Sequence, residues 1–194
     1  MKPLDGRRVA ALCGGLAAGL GIAGALAAPD AVVGAVGPAL ERPAVVSALA
    51  ARSVLRGAAR AGGRLVAVGE RGIVVVSDDQ GSTWRQVPTP ESVGLTAVRF
   101  VDARHGWAVG HGGVVLATTD GGERWVRQLD GQQAARLVLE EAKAGGDERA
   151  RADAERLVAD GADKPLLDLH FFDAQHGLVI GAYNLAFETL DGGR

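Results

Sequence analysis

The chain has 194 residues, 47% of them hydrophobic but only 4% aromatic, with 29 glycines, one cysteine and a formal charge of −2. That hydrophobic content suffices for a sizeable core, and the scarcity of rings leaves small side chains and frequent turns to shape it. The near-balanced charge excludes long-range attraction to nucleic acid or an anionic membrane, and a lone cysteine excludes a disulfide framework.

At the N-terminus, MKPLDGRR supplies positive charge, VAALCGGLAAGLGIAGALA is apolar and uncharged, and Ala25–Ala27 offers small residues for cleavage. Residues 1–27 therefore read as a signal peptide and 28–44 as a linker, which implies an exported protein, periplasmic or otherwise extracytoplasmic. An uncleaved membrane anchor is the alternative, because the apolar run from Val9 to Ala28 is long enough to span a bilayer. Arg7-Arg8 is a weak twin-arginine signature, since VAAL follows it without the usual bulky positions. Cys13 lies inside the signal behind Leu12, which does not fit a lipid-anchor cysteine; once the signal is removed, no thiol nucleophile remains.

From residue 45 the chain repeats. AVGERGIVVVSDD, AVGHGGVVLATTD and VIGAYNLAFETLD place Gly69, Gly110 and Gly181 each ten residues before Asp79, Asp120 and Asp191. FVDARHG and FFDAQHG add a second signature, with Asp102 and Asp173 each eighteen residues before the later acid; the first copy has AARAGGRL there and reads as a divergent starting unit. Short Val- and Leu-rich runs bounded by Gly and Asp, such as LTAVRF, WAVG, VVLATT and WVRQL, predict four strands per unit. The 41 residues from Asp79 to Asp120 match the period of a β-propeller blade.

SDDQGSTW and TTDGGERW close the third strand of each of the first two units. An acid there accepts N–H groups from the loop that follows, and Gly81 or Gly122 supplies positive φ. Ser77 and Thr118 are expected at exposed strand ends, and Trp84 and Trp125 begin the next strand. Thr189, Asp191 and Gly193 repeat the turn as far as Arg194.

Between the second and third units, Asp120 lies 51 residues before Phe171, against 21 between Asp79 and Phe100. The additional residues, within 130–164, predict a helical hairpin broken at Gly145-Gly146, with Asp147 as N-cap, Gly161 as stop, and Ala150, Ala154, Leu157 and Val158 on one face. It is either a surface decoration or a docking element.

The pattern Ser/Thr-x-Asp-x-Gly-x-x-Trp is the Asp-box, or BNR repeat. Together with FVDARHGWAVGHGG and KPLLDLHFFDAQHG it makes residues 42–194 resemble an exported propeller of the photosystem II stability/assembly factor type. The resemblance implies an all-β fold: β-propeller blades, about three of an expected seven, as an N-terminal fragment carrying a helical-hairpin insertion. It also implies a non-enzymatic scaffold that binds protein partners of a membrane-associated complex, without nucleic acid or an identified small-molecule substrate. In phototrophs that complex is photosystem II. The alternative is a carbohydrate-active, sialidase-like Asp-box propeller, which needs a tyrosine nucleophile, an acid/base carboxylate and three arginines. Tyr183 is the one tyrosine. No catalytic, cofactor or metal residue is assigned: the turns offer too few oxygens for calcium, and His105 and His176 lack neighbouring ligands and read as turn residues bonded to backbone. Glu140-Glu141 reads as a solvated helix face.

Overall fold

The computed structural model describes residues 2–3 and 38–194; the apolar run read as an export signal lies wholly outside the described residues. The strands are β1 (Lys2–Pro3), β2 (Leu55–Ala61), β3 (Arg64–Gly69), β4 (Val74–Ser77), β5 (Arg85–Val87), β6 (Leu95–Phe100), β7 (Gly106–Gly110), β8 (Val115–Thr118), β9 (Val126–Leu129), β10 (Leu166–Phe171), β11 (Gly177–Gly181) and β12 (Ala186–Thr189). Two helices, α1 (Gly131–Gly145) and α2 (Glu148–Asp160), separate β9 from β10.

Three antiparallel four-stranded sheets result, ordered β2-β3-β4-β5, β6-β7-β8-β9 and β10-β11-β12-β1. The first two are simple meanders. In the third, the place of a fourth strand beside β12 is taken by Lys2 and Pro3, opposite Glu188 and Phe187.

Alternation along the strands sends side chains to both faces of each sheet. Val66, Val68, Val74 and Val76 meet Leu95, Val98, Leu116 and Trp125 of the second sheet. Trp107, Val109 and Val115 meet Leu166, Leu169, Phe171 and Phe187 of the third. The outer face of the first sheet, through Ala67 and Val75, is covered by Ala50 and Trp84. Neighbouring first strands lie side by side: a Cβ on Gly57 would stand 3.1 Å from the Ala97 Cα, and Thr96 Oγ1 donates to the Leu166 carbonyl at 2.7 Å. These are stacked blades of a partial β-propeller, each burying a face only against its neighbours.

The repeated glycine before each β-turn is explained by close approach. Gly69 and Gly110 have extended backbones, yet a Cβ on either would lie 2.9 Å from the Cα of Leu55 or Leu95 and closer still to a carbonyl oxygen; on Gly181 it would lie 2.8 Å from the Pro165 oxygen. No side chain fits between the end of a blade's second strand and the start of its first.

The helical hairpin is capped at several points. Asp130 accepts from the Gln133 N–H while the Gln133 side chain accepts from the Asp130 N–H, a reciprocal capping box. Gly146 ends α1 with φ 71°, and Asp147 accepts from the Arg149 and Ala150 N–H groups to start α2. The apolar face is narrower than the sequence predicts. Ala154 is buried, and the partly buried Leu157 joins the core with Ala134, Leu137 and Val138, whereas Ala150 and Val158 point to solvent. The base is pinned by glycines: a Cβ on Gly113 would fall 2.5 Å from the Gly131 Cα. Among the described residues, no helix is long and apolar enough to cross a membrane.

Candidate functional site

The three Asp-box turns share one wiring. At the first, Ser77 Oγ donates to Asp79 Oδ1 at 2.8 Å and accepts from the Gly81 N–H at 2.7 Å. Asp79 also accepts from the Thr83 N–H at 2.8 Å and from Thr83 Oγ1 at 2.6 Å. Trp84 Nε1 donates to the Gly81 carbonyl at 3.0 Å. Thr118, Asp120 and Gly122 repeat the arrangement, with Asp120 accepting the Glu123 and Arg124 N–H groups at 3.0 Å and Trp125 Nε1 donating to Gly122. Thr189, Asp191, Gly193 and Arg194 do so again.

One expectation fails here. Ser77, Thr118 and Thr189 are not at exposed positions but are only 1%, 3% and 3% exposed, because each hydroxyl is the internal hub linking the acid to the glycine N–H. The Thr83 side chain and N–H, then the Ser77 hydroxyl, hold the Asp79 carboxyl down at about 2. Gly81 and Gly122 have φ of 94° and 88°, where a Cβ would be strained.

A second acid-centred loop precedes β7 and β11. Asp102 Oδ1 accepts from the Arg104 and His105 N–H groups at 2.6 and 2.7 Å, and Oδ2 meets His105 Nδ1 at 2.8 Å; the His105 N–H leads the groups that bring this acid to about 2. Asp173 accepts from the Gln175 and His176 N–H groups, both at 2.7 Å. The histidine rings bond carboxylates, not backbone as the sequence reading has it: His176 Nε2 lies 3.1 Å from Glu188. The flanking Phe and Gly of FVDARHG and FFDAQHG are cross-strand partners, Phe100 to Gly106 and Phe171 to Gly177. Each ring occupies the space a Cβ on the glycine would need.

Around the turns, Arg64 and Arg85 alternate with Asp78 and Glu123 in a cluster that ties the first sheet to the second. Arg64 reaches Asp78 at 2.6 Å and Glu123 at 2.7 Å, while Arg85 bonds both Glu123 oxygens. The Arg85 hydrogen bond is the leading influence lowering the Glu123 carboxyl. Among the described residues, no three His, Cys, Asp or Glu side chains cluster to hold a metal. Tyr183 is 74% exposed, and its ring lies under Lys164 Nζ at 4.8 Å.

The opposite face of the blades holds a feature the sequence does not reveal. Residues 38–44, read as linker, cross the connection between the first two sheets: the Ser92 N–H donates to the Ala39 carbonyl at 2.9 Å and the Ala44 N–H to the Thr89 carbonyl at 3.2 Å. Glu91 lies among them with a side chain 2% exposed, and neither carboxylate oxygen has a hydrogen-bond partner among the described residues. Arg127 Nε is 3.4 Å away, but its Nη1 donates to the Leu40 carbonyl at 2.9 Å. Burial pushes Glu91 up to about 7, with Arg127 opposing and Asp130 reinforcing the shift. PTPES carries no motif, and Arg127 is 36 residues downstream; only the fold joins them.

Comparison with known proteins places this geometry in context. A family model described as photosynthesis system II assembly factor YCF48 matches residues 76–159, from β4 to the end of α2. A curated relative, the chloroplastic photosystem II stability/assembly factor HCF136 of Cyanidioschyzon merolae, is 48% identical over 48 residues, which is 24% of this chain and 11% of that protein. Among solved structures, YCF48 bound to D1 peptide aligns with a TM-score of 0.51 and 17% identity over 73% of this chain and 39% of that one. YCF48 from Cyanidioschyzon merolae aligns with a TM-score of 0.43 and 20% identity, over 66% and 34%. The chain thus spans about two-fifths of the length of the first of these structures, at 39%, and shares its fold.

Proposed function

Starting from its similarity to photosystem II assembly factors, we propose that this chain is a non-catalytic, protein-binding scaffold, exported from the cytoplasm, that serves assembly of a membrane-associated complex. The match to the assembly-factor family across residues 76–159 carries this reading. The geometry supports it, because Asp79, Asp120 and Asp191 are each committed to their own loops. Export rests on the N-terminal sequence, with its basic start, apolar run and small residues at Ala25–Ala27. The structurally similar YCF48 is seen with a D1 peptide, which makes a D1-type reaction-centre segment the first partner to try.

The test is fluorescence anisotropy of a labelled D1 peptide titrated with the chain. Saturable binding, competed by unlabelled peptide and not by a scrambled one, is expected; equal competition by both overturns the reading. A pull-down with and without residues 131–163 examines the hairpin, and equal recovery of partners would remove it from the binding surface.

A further inference from the structure

We propose that the cleft lined by Leu40, Glu41, Pro90, Glu91, Val126 and Arg127 receives an arginine side chain presented by a protein partner. The inference rests on the protein-binding reading and names the chemistry of one contact.

Glu91 supplies two buried acceptors that nothing among the described residues satisfies. A carboxylate in that state is poorly stabilised, and a guanidinium fork that displaced Arg127 from beside the covered oxygens would meet both at once. The resident cation does not do so. Arg127 stands 3.4 Å off through Nε, is drawn away by the Leu40 carbonyl, and is shared with Asp130 at 4.0 Å. Glu41 adds a third acid at the rim beside Glu91 and Asp130, against the two nearby guanidinium groups of Arg127 and Arg42. Leu40, Pro90 and the 67% exposed Val126 provide apolar walls for the aliphatic stem. The cleft, about 350 Å³, is large enough for such a side chain.

The same charges set the pH behaviour. Arg127 faces Glu91 from β9, Asp130 from the lead into α1, and Glu41 and Arg42 from the covering segment. The turns packed here through Gly72 and Gly112 also carry Glu70, Arg71 and His111. An incoming cation favours ionised Glu91, so affinity should rise as pH goes from 6 to 8.

The experiment titrates the full chain, followed by amide NMR, with acetyl-Ala-Arg-Ala-amide and with its neutral citrulline counterpart. The arginine peptide is expected to shift the amides of Glu91, Ser92, Val126 and Arg127 saturably, at least tenfold more tightly than citrulline. Glu91→Gln should weaken binding at least tenfold and flatten the pH profile, whereas Arg127→Gln, by removing the competing cation, should strengthen it severalfold. A purely structural role would make both variants weaker. Equal binding of the two peptides, shifts confined to other residues, absence of binding at pH 8, or weakening by both substitutions would each overturn the proposal. If the D1 peptide fails to bind while the arginine peptide behaves as expected, the functional reading falls and the cleft assignment stands.

Discussion

Asp79 and Glu91 are carboxylates displaced in opposite directions, and each leaves a distinct mark on stability. Asp79, held down at about 2 by Thr83 and Ser77, adds stability that is fully present above the unfolded carboxylate range near 4 and is lost as pH falls through 2. Urea midpoints at pH 5, 3 and 2 should therefore decline, and Asp79→Ala should be less stable at pH 5 with a shallower decline toward pH 2. Glu91 runs the other way: raised from 4.5 to about 7, it binds a proton more tightly when folded, so its contribution is fully present below 4.5 and disappears as pH climbs to 7. Glu91→Gln should flatten that loss and raise the melting temperature at pH 8, measured by circular dichroism. At Gly110 the issue is space. Gly110→Ala would drive a methyl toward the Leu95 Cα and the Gly94 carbonyl and should cost about 1–3 kcal/mol in chemical denaturation.

At the scale of single elements, the blade strands are legible from the sequence because their information is local. A run of β-branched residues, an acid and a glycine at fixed offsets, and a ring after the turn all lie within eleven residues, as from Val74 to Trp84. The helices are legible for the same reason, since Asp147 and Gly161 mark the ends of α2 within the sequence itself. What escaped was set by how the chain closes on itself, near or far, and not by residue type or period. Ser77 is polar at a strand end, and only the finished turn shows its hydroxyl enclosed; Ala150 belongs to the apolar stripe by period and is nonetheless exposed. Glu91 and Arg127 come together only when the first two blades stack. Phe187, fully buried between the second and third sheets, tests the stacking directly. Phe187→Ala should destabilise the chain by about 3–5 kcal/mol by equilibrium unfolding.

For the whole molecule, stability is divided among layers that meet only their sequence neighbours. The first sheet has its outer face covered by Ala50 and Trp84, whereas Leu167, Phe172 and Ile180 of the third are about half exposed. Loss of packing at the second-to-third boundary should consequently leave the first-to-second boundary largely intact, and Phe187→Ala is expected to convert a single unfolding transition into two, resolvable by calorimetry. One broad transition in that variant would instead mean that the three sheets unfold as a unit.

The three tryptophans turn this layering into something that can be watched. Trp84 lies in the cover of the first sheet, Trp125 in the seam between first and second, and Trp107 in the seam between second and third, its indole stacked 3.7 Å from the Phe171 ring. Each indole is therefore an optical probe assigned by position to one seam, and versions of the chain retaining a single indole would let stopped-flow emission time the closing of each layer separately.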